Sequence, residues 1–374
     1  MTKKVSIILP CRDEKESIEN TIRQIKETFE KNNINGEIIV SDSSKDGSDT
    51  IASGLGVTVI KHDKKGYGIA LREGFKIANG EIIIFADPDG TYDFSEIPKF
   101  LKVIKNADLV IGSRFKGKIM KKAMPWSHRY IGNPVLTFLL NLFFKVRLSD
   151  AHSGFRAIRR NKLKQLGLKT TGMEFASEMI IQAIKKNLKI KEIPINYYPR
   201  AGSSKLRSFH DGWRHLRFML LFSPTYLFMV PGLMLFIFGL FIELRLLFGP
   251  IDLFGLSFYN HPIIIGSFLM LVGFQIIFTG FFAKIYLFTI LGEENRTLEK
   301  FFKTFNLEKG LMLGALVFLV GLILDLAVLL KWTTSNFGEL SEIKLLVFAL
   351  TMNVLGVQLI FNSFYLSILG IQRK

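Results

Sequence analysis

IIIFADPDGTYDFSEIP, residues 82–98, is the stretch that decides how this chain folds. Ile82, Ile83, Ile84 and Phe85 make a short β-branched run closed by turn residues, which predicts a strand buried on both faces. Asp87 and Asp89 then fall at that strand's C-terminal end. In an open parallel sheet this edge is where ligands bind, and the Pro88 and Gly90 turn keeps both carboxylates outward. Two hard oxygen donors at i and i+2 suit a Mg²⁺ or Mn²⁺ ion bridging to a diphosphate; a solvated acid-rich turn has the same composition.

Towards the N-terminus, residues 5–9 are an apolar run ended by Pro10, and residues 17–29 set Ile18, Ile22, Ile25 and Phe29 at helical spacing. Residues 37–40 predict a second strand, followed by a polar turn from Ser41 to Ser48 rich in helix-capping residues. A third strand over 57–60 leads through a glycine-containing turn at 64–68 to a helix ending near Ala78. Beyond the central stretch, 107–111 reads as a fifth strand, 150–160 as turn residues with a short strand, 174–186 as a helix and 190–197 as a further strand. Strands alternating with helices imply an α/β fold whose mostly parallel sheet is covered on both faces. No G-x-G-x-x-G follows the first strand and no Walker-type phosphate loop occurs. The strand ends carry Glu14, Asp42, Asp87 and Asp89 instead, an arrangement that binds a nucleotide through a metal and through base or ribose contacts.

The 374 residues have a mean hydropathy of +0.29 and include 35 phenylalanines, too apolar for one ordinary soluble domain. The apolarity is concentrated. Residues 1–217 hold 39 of the 49 lysines and arginines, a net charge of +16, whereas residues 218–374 are nearly neutral at +1. Four apolar segments, at about 218–240, 262–290, 311–330 and 345–369, are long enough to cross a bilayer as helices. The expected division is a catalytic domain over 1–205, a juxtamembrane interfacial segment over 206–217 and a four-helix membrane region over 218–374. The opening MTKKVSIILPCRDE runs into charge after one short strand, so no signal peptide is expected there. The single cysteine, Cys11, provides neither a disulfide nor a zinc pattern. Lys284 and Asp325 fall inside the apolar spans, where ionisable residues carry function by default.

Residues 109–149 contain no Asp or Glu but carry Arg114, Lys116, Lys118, Lys121, Lys122, Arg129, Lys145 and Arg147. The lysines read as a solvated loop or as a weak pull towards anionic membrane lipids, worth about 1 kcal/mol each; no nucleic-acid partner is expected. Arg114 and Arg129 are the specific candidates, because the guanidinium fork matches a phosphate with two hydrogen bonds. Residues 134–146, PVLTFLLNLFFKV, are too short to span a membrane and read either as a buried helix or as an interfacial one. The basic loop PRAGSSKLR, residues 199–207, is suited to fold over a phosphate.

Taken in order, Ile7-Ile8-Leu9-Pro10 with Glu14, VSDSSKDGS at 40–48, Asp87-Pro88-Asp89-Gly90, Gly112-Ser113-Arg114, Ser153-Gly154-Phe155-Arg156 and Gly202-Ser203-Ser204-Lys205-Leu206 resemble one family. They are similar to the family two inverting glycosyltransferases of GT-A fold, and among these to the polyprenyl-phosphate sugar synthases of the dolichol-phosphate mannose synthase type. The resemblance implies that Pro10, Arg12, Glu14, Val40, Asp42, Asp87, Pro88, Asp89, Arg114, Arg200 and Lys205 bind the nucleotide sugar, GDP-mannose or UDP-glucose. It implies that Arg114, Arg129, Ser204 and Arg207 bind the phosphate of a dolichyl or polyprenyl acceptor, and that Asp87, Asp89 and Thr91 hold Mg²⁺ or Mn²⁺. Asp89, Arg114 and Arg129 would carry catalysis. Two positions depart from the family pattern: Thr91 stands where a glutamine is usual, and Ser41 where the second strand usually ends in the first of two acids.

The implied reaction is attack by a lipid phosphate oxygen on the anomeric carbon of a nucleotide-activated hexose, inverting that centre. A phosphate is already ionised at neutral pH, so no general base is demanded, which agrees with the lack of any conspicuous Ser-His or Cys-His pairing. A processive polysaccharide synthase or another membrane glycosyltransferase shares the fold, but the Q-x-x-R-W acceptor motif of the processive enzymes does not occur. A lipid transporter would carry more polar residues at mid-membrane, and a non-catalytic nucleotide-binding regulator would not need both Asp87 and Asp89.

Arg296, Lys300, Lys303 and Lys309 lie in the connection between the second and third spans, while the other two connections are poor in basic residues. The positive-inside rule therefore puts that connection, both termini and the catalytic domain of this multi-pass cell membrane protein in the cytoplasm. In a Cys11-free background, a membrane-impermeant thiol reagent added outside cells is expected to label a cysteine at Asn336 and not one at Thr304; the reverse pattern would overturn this topology.

Overall fold

Seven strands of the first half pair into one sheet: β1 (Val5–Cys11), β2 (Gly36–Asp42), β3 (Thr58–Lys61), β4 (Ile82–Phe85), β5 (Leu109–Ser113), β6 (Arg156–Arg159) and β7 (Ile190–Pro194). Their order is β3-β2-β1-β4-β6-β5-β7. The computed structural model describes residues 4–202, 208–253, 255–289, 306–338 and 342–370. The chain divides into two units, Met1–Met219 and Leu220–Lys374. Within the sheet β6 alone runs backwards, antiparallel to both β4 and β5. The expected mostly parallel sheet is therefore present, with β4 at its centre.

Eight helices accompany these strands: α1 (Ile18–Lys31), α2 (Ser48–Gly54), α3 (Tyr67–Ile77), α4 (Ile97–Val103), α5 (Asn133–Phe144), α6 (Arg160–Leu166), α7 (Phe175–Lys185) and α8 (Ser208–Leu221). On one face of the sheet Ile7, Leu9, Val40 and Ile84 cluster with Ile18, Ile22 and Ile25 of α1. On the other, the Phe85 ring meets Phe75 of α3 and Phe175 of α7 at centroid separations of 5.6 and 6.4 Å. Helices on both faces require apolar residues at every position of the central strand, which is why its sequence shows no alternation. Each such side chain, fully buried, stabilises the fold by about 1.5–3 kcal/mol.

Several strand boundaries differ from expectation, β7 most, since it ends at Pro194 and not at Tyr197, and two of the others have local reasons. β1 continues through Pro10 to Cys11, because β4 stops opposite Ile8 and leaves that side of β1 without a partner strand, where a missing N–H costs little. β5 begins at Leu109 and not at Ala107, whose amide instead closes a 3₁₀ turn on the Ile104 carbonyl at 3.3 Å.

The described part of the juxtamembrane stretch, from Ser208, is bonded to the first unit. α8 is one continuous helix, and its Arg214 Nε reaches Glu174 Oε2 at 3.0 Å while His215 Nδ1 lies 2.8 Å from Ser177 Oγ of α7. The 134–146 segment, as α5, is not a buried helix: it buries Thr137 and Leu140 and exposes Val135, Phe138 and Leu142. Trp126, Tyr130 and Ile131 just before it are exposed as well.

In the second unit, four helices are long and apolar enough to cross a membrane: Thr225–Leu247, His261–Phe288, Leu307–Thr334 and Ile343–Leu369. The first begins later than expected, because Phe218 to Leu221 finish α8. Asp325 is bonded by Asn353 Nδ2 at 2.5 Å. A third intramembrane ionisable residue, Glu243, is fully buried and accepts from Thr351 Oγ1 at 3.0 Å. It lies three positions beyond the expected end of the first span, which is why the sequence did not single it out.

The packing of α8 on α7 carries a pH dependence. Burial pushes both His152 and His215 below the usual histidine range, His215 to about 4, and their rings meet edge-on with centroids 4.5 Å apart. An unfolded histidine titrates at about 6.5, so between these values the unfolded chain binds more protons and stability falls as pH drops. The His215 contribution is intact above about pH 6.5 and lost on the way down to about 4, at most about 3 kcal/mol. Hydrogen-exchange protection of α7 and α8 is expected to decline over this window in the wild-type protein and to decline less in His215→Gln; equal pH profiles would contradict it.

Candidate active site

β4 ends at Phe85, and the chain turns through Asp87 to Thr91 at the sheet edge. Gly90 takes a φ of +79°, a left-handed conformation that glycine adopts without cost. Asp89 is buried, and its Oδ1 accepts from the Thr91 amide at 3.1 Å and the Thr91 hydroxyl at 2.6 Å. Thr91 thus orients Asp89, and to act as a metal ligand its hydroxyl would have to leave that bond. Pro88 is buried and its carbonyl accepts from Thr21 Oγ1 of α1 at 3.2 Å, so this proline fastens the turn to a helix.

Asp87 is half-buried beside Gly154. A Cβ at residue 154 would lie 2.8 Å from Asp87 Oδ2, 3.2 Å from the Tyr92 hydroxyl and 3.4 Å from the Tyr67 hydroxyl, so any side chain there would push the Asp87 carboxylate aside. The Gly154 amide donates to Tyr92 Oη at 2.8 Å. Burial, the neighbouring Asp89 and then Glu14 push Asp87 well above the usual carboxylate range, with Arg200 and Arg114 opposing them. Burial and Asp87 also raise the Tyr67 phenol, which stays a neutral hydrogen-bond donor at physiological pH.

Arg114 has a partner the sequence did not reveal. Its Nε and Nη2 donate to the two oxygens of Asp150 at 2.7 and 2.8 Å, and its amide donates to Oδ2 at 3.0 Å. The fork expected to grip a phosphate is engaged within the protein, with 7% of the residue exposed and the guanidinium 5.2 Å from the Tyr197 ring centroid. Burial works against the charge, but Asp150 outweighs it and holds Arg114 protonated. Asp150 is fixed in turn by Glu192, which accepts from the Ser149 and Asp150 amides at 2.8 and 3.0 Å. The available signal was position, since Asp150 is the first carboxylate after the acid-free tract.

Arg129 sits in a π-helical turn, His128–Gly132, 5.4 Å from the Tyr130 ring centroid, and among the described residues no carboxylate pairs with it. Arg200 bridges two acids: Nη1 to Asp89 Oδ2 at 2.9 Å and Nη2 to Glu14 Oε1 at 2.5 Å. Asp42, fully buried at the end of β2, accepts from the Ser44 amide and hydroxyl at 3.1 and 2.5 Å. Ser41 Oγ lies 3.1 Å from His62 Nε2, giving the β2 end a neutral partner where the family has an acid. The Val40 side chain is in the core, and only its backbone belongs to the strand end. Pro10 is likewise buried within β1, whereas Arg12 is half-exposed beyond the strand, 4.0 Å from Asp13. Ser204, Lys205 and Arg207 lie outside the described residues.

The donor set can be tested for a metal. Among the described residues no three His, Cys, Asp or Glu side chains are grouped to hold an ion. Asp87 and Asp89 supply two hard oxygen ligands, which fits a Mg²⁺ or Mn²⁺ ion completed by diphosphate oxygens and water. The negative charge of Asp89 and Glu14 beside Asp87 is what such an ion would offset.

Removing the fork at Arg114 should act on the fold. Arg114→Lys keeps the charge but leaves Asp150 short of hydrogen bonds in a buried place, at a cost of about 2–3 kcal/mol. A melting temperature lowered by several degrees is expected for Arg114→Lys and for Asp150→Asn, with Lys118→Arg unchanged. Wild-type stability in Arg114→Lys would return the fork to a ligand.

Glycosyl transferase family 2 matches residues 6–167, and the glycosyltransferase family 2 C-terminal transmembrane region matches residues 282–370. A low-salt glycan biosynthesis hexosyltransferase of Haloferax volcanii is 40% identical over 368 residues, 98% of this chain and 89% of that protein. A dolichyl-phosphate hexose transferase of the same organism is 32% identical over 47% of this chain and 76% of its own length. A dolichol-phosphate mannosyltransferase of Pyrococcus furiosus is 30% identical over 54% of this chain and 59% of its own. With a relative aligned through both units and the acids of the β4 turn in place, the chain is a membrane glycosyltransferase and belongs to glycosyl transferase family 2.

Proposed function

We propose that this glycosyltransferase moves a hexose, mannose in preference to glucose, from a nucleotide sugar to dolichyl or polyprenyl phosphate with inversion at the anomeric carbon. The observation that carries the reading is the convergence of Asp87, Asp89, Glu14 and Arg200 at the C-terminal edge of the sheet, a mixed-charge seat suited to a diphosphate. The two shorter relatives, named for dolichyl-phosphate hexose and dolichol-phosphate mannose transfer, support the acceptor and the preferred sugar.

A phosphate oxygen of the acceptor forms the new bond to the anomeric carbon as the bond to the donor diphosphate breaks, and the nucleoside diphosphate leaves. The acceptor is already an anion, so the protein's task is to hold two anions together and to stabilise the departing one. Arg200 is placed to bind the donor diphosphate, and Arg129 has a guanidinium available to the acceptor phosphate. Arg114, fixed by Asp150, adds positive charge behind the site without lending its full fork. Asp89 and Asp87 would hold the divalent ion, which when bound neutralises charge on the diphosphate. The exposed Trp126, Tyr130, Val135, Phe138 and Leu142, set in a basic tract, suit the interface of an anionic bilayer, where a lipid phosphate is met. The same charge pattern supports a cytoplasmic catalytic unit.

Purified full-length protein incubated with polyprenyl phosphate and labelled GDP-mannose or UDP-glucose is expected to give a lipid-linked sugar. Chelation should stop the reaction, and Asp89→Ala should abolish it while the protein stays folded. No lipid product from either donor, or near-normal turnover of Asp89→Ala with added Mg²⁺ or Mn²⁺, would sink the proposal.

A further inference from the structure

The geometry points to Arg200 as a built-in competitor of the divalent ion: its guanidinium and the metal claim the same oxygen, Asp89 Oδ2, so that metal entry is coupled to arrival of the donor diphosphate. The inference rests on the metal site proposed above and concerns what controls its occupancy. Asp89 has two carboxylate oxygens. Oδ1 is taken by the amide and hydroxyl of Thr91, both within its own turn. Oδ2 receives Arg200 Nη1 at 2.9 Å.

The guanidinium is held there from several directions. Nη2 donates to Glu14 Oε1 at 2.5 Å, so one planar fork spans two carboxylates from different loops. Its backbone is attached to the same turn: the Tyr198 amide donates to the Thr91 carbonyl at 2.9 Å and the Ala201 amide to the Asp89 carbonyl at 3.0 Å. The side chain is 22% exposed, and its Nε is buried with no hydrogen-bond partner among the described residues. Two donors of the fork are thus satisfied by acids while a third faces no acceptor, which leaves the group able to take a different anion.

A dication bound at about 2.1 Å to Asp89 Oδ2 would stand next to a guanidinium on the same oxygen, and the two like charges repel strongly where water is scarce. A metal arriving alone must therefore displace Nη1 of Arg200 from Asp89 and leave the guanidinium only the Glu14 half of its counter-charge. A metal arriving with a nucleoside diphosphate brings that counter-charge, and Arg200 exchanges carboxylates for phosphate oxygens while Asp89 turns to the metal. Arg200 thereby makes the ion bind with the donor and not ahead of it. A coupling of this kind is worth about five- to 150-fold in affinity.

The test is Mn²⁺ binding to the purified full-length protein, read from the electron paramagnetic resonance signal of free Mn²⁺, with and without GDP or UDP. Arg200→Gln is expected to bind Mn²⁺ alone about ten-fold more tightly than wild type and to gain less from added nucleotide. Arg200→Lys, which keeps a charge but cannot span both acids, should fall between them, and decides the matter against wild type if Arg200→Gln fails to fold. Mn²⁺ affinity equal to or weaker than wild type in the folded variant would overturn the inference, since a purely structural or donor-binding arginine predicts that result. Asp89→Asn separates the two levels of reading. It should lose nucleotide-assisted Mn²⁺ binding, and if it does not, the metal site itself is misassigned.

Discussion

The reversal of one strand fixes the geometry of the site. β6 pairs antiparallel with β4, Arg156 opposite Phe85, so the start of β6 lies at the edge where β4 ends. The loop entering β6 therefore meets the turn leaving β4, and this brings Gly154 against Asp87 and places Asp150 beside the end of β5 for Arg114. A parallel strand in the same slot would have put its opening loop at the opposite edge. Arg156 secures the arrangement: fully buried, it donates to the carbonyls of Ser153, Ala176 and Ala151 at 2.8–2.9 Å, tying the entry loop to α7.

The buried charges of the first unit follow two patterns. Arg114 with Asp150, and Arg156 with its carbonyls, have their hydrogen bonds closed inside the protein, and breaking such a set costs far more than forming it yields. They belong to a rigid frame. Arg200 is partly exposed and joins acids from separate loops, and one of its donors has no partner. Rigid cations behind the site and an exchangeable one within it divide the work between shaping a field and responding to a ligand.

Most of the frame was legible in the sequence. The apolar run of β4, the helical spacing of Ile18, Ile22 and Ile25, and the turn residues after each strand place those elements within a residue or two of where they occur. Strand direction was not legible, because a short apolar run reads the same forwards and backwards; the reversal of β6 and the contacts it creates had no local signal. Arg114 stood out in the sequence as a phosphate-binding candidate, but its partner Asp150 lies 36 positions away and depends on that reversal. The side chain of Val40, a residue that the resemblance places at the nucleotide, joins Leu9 and Ile84 in the core, so only its backbone is left to meet a ligand. Ser41 departs from the expected acid, and its partner His62, just past β3, had no signal in the sequence.

The outward apolar face around α5 bears on how the enzyme can be handled. Trp126, Tyr130, Val135 and Phe138 belong to the first unit, at 48–67% exposure, and none of them lies in the four long apolar helices. A fragment cut after Met219 would shed every span yet keep this face in water, where a contiguous patch of large apolar side chains drives self-association. Deleting the membrane helices therefore does not make a well-behaved soluble enzyme; detergent, lipid or polar replacements along that face would still be required.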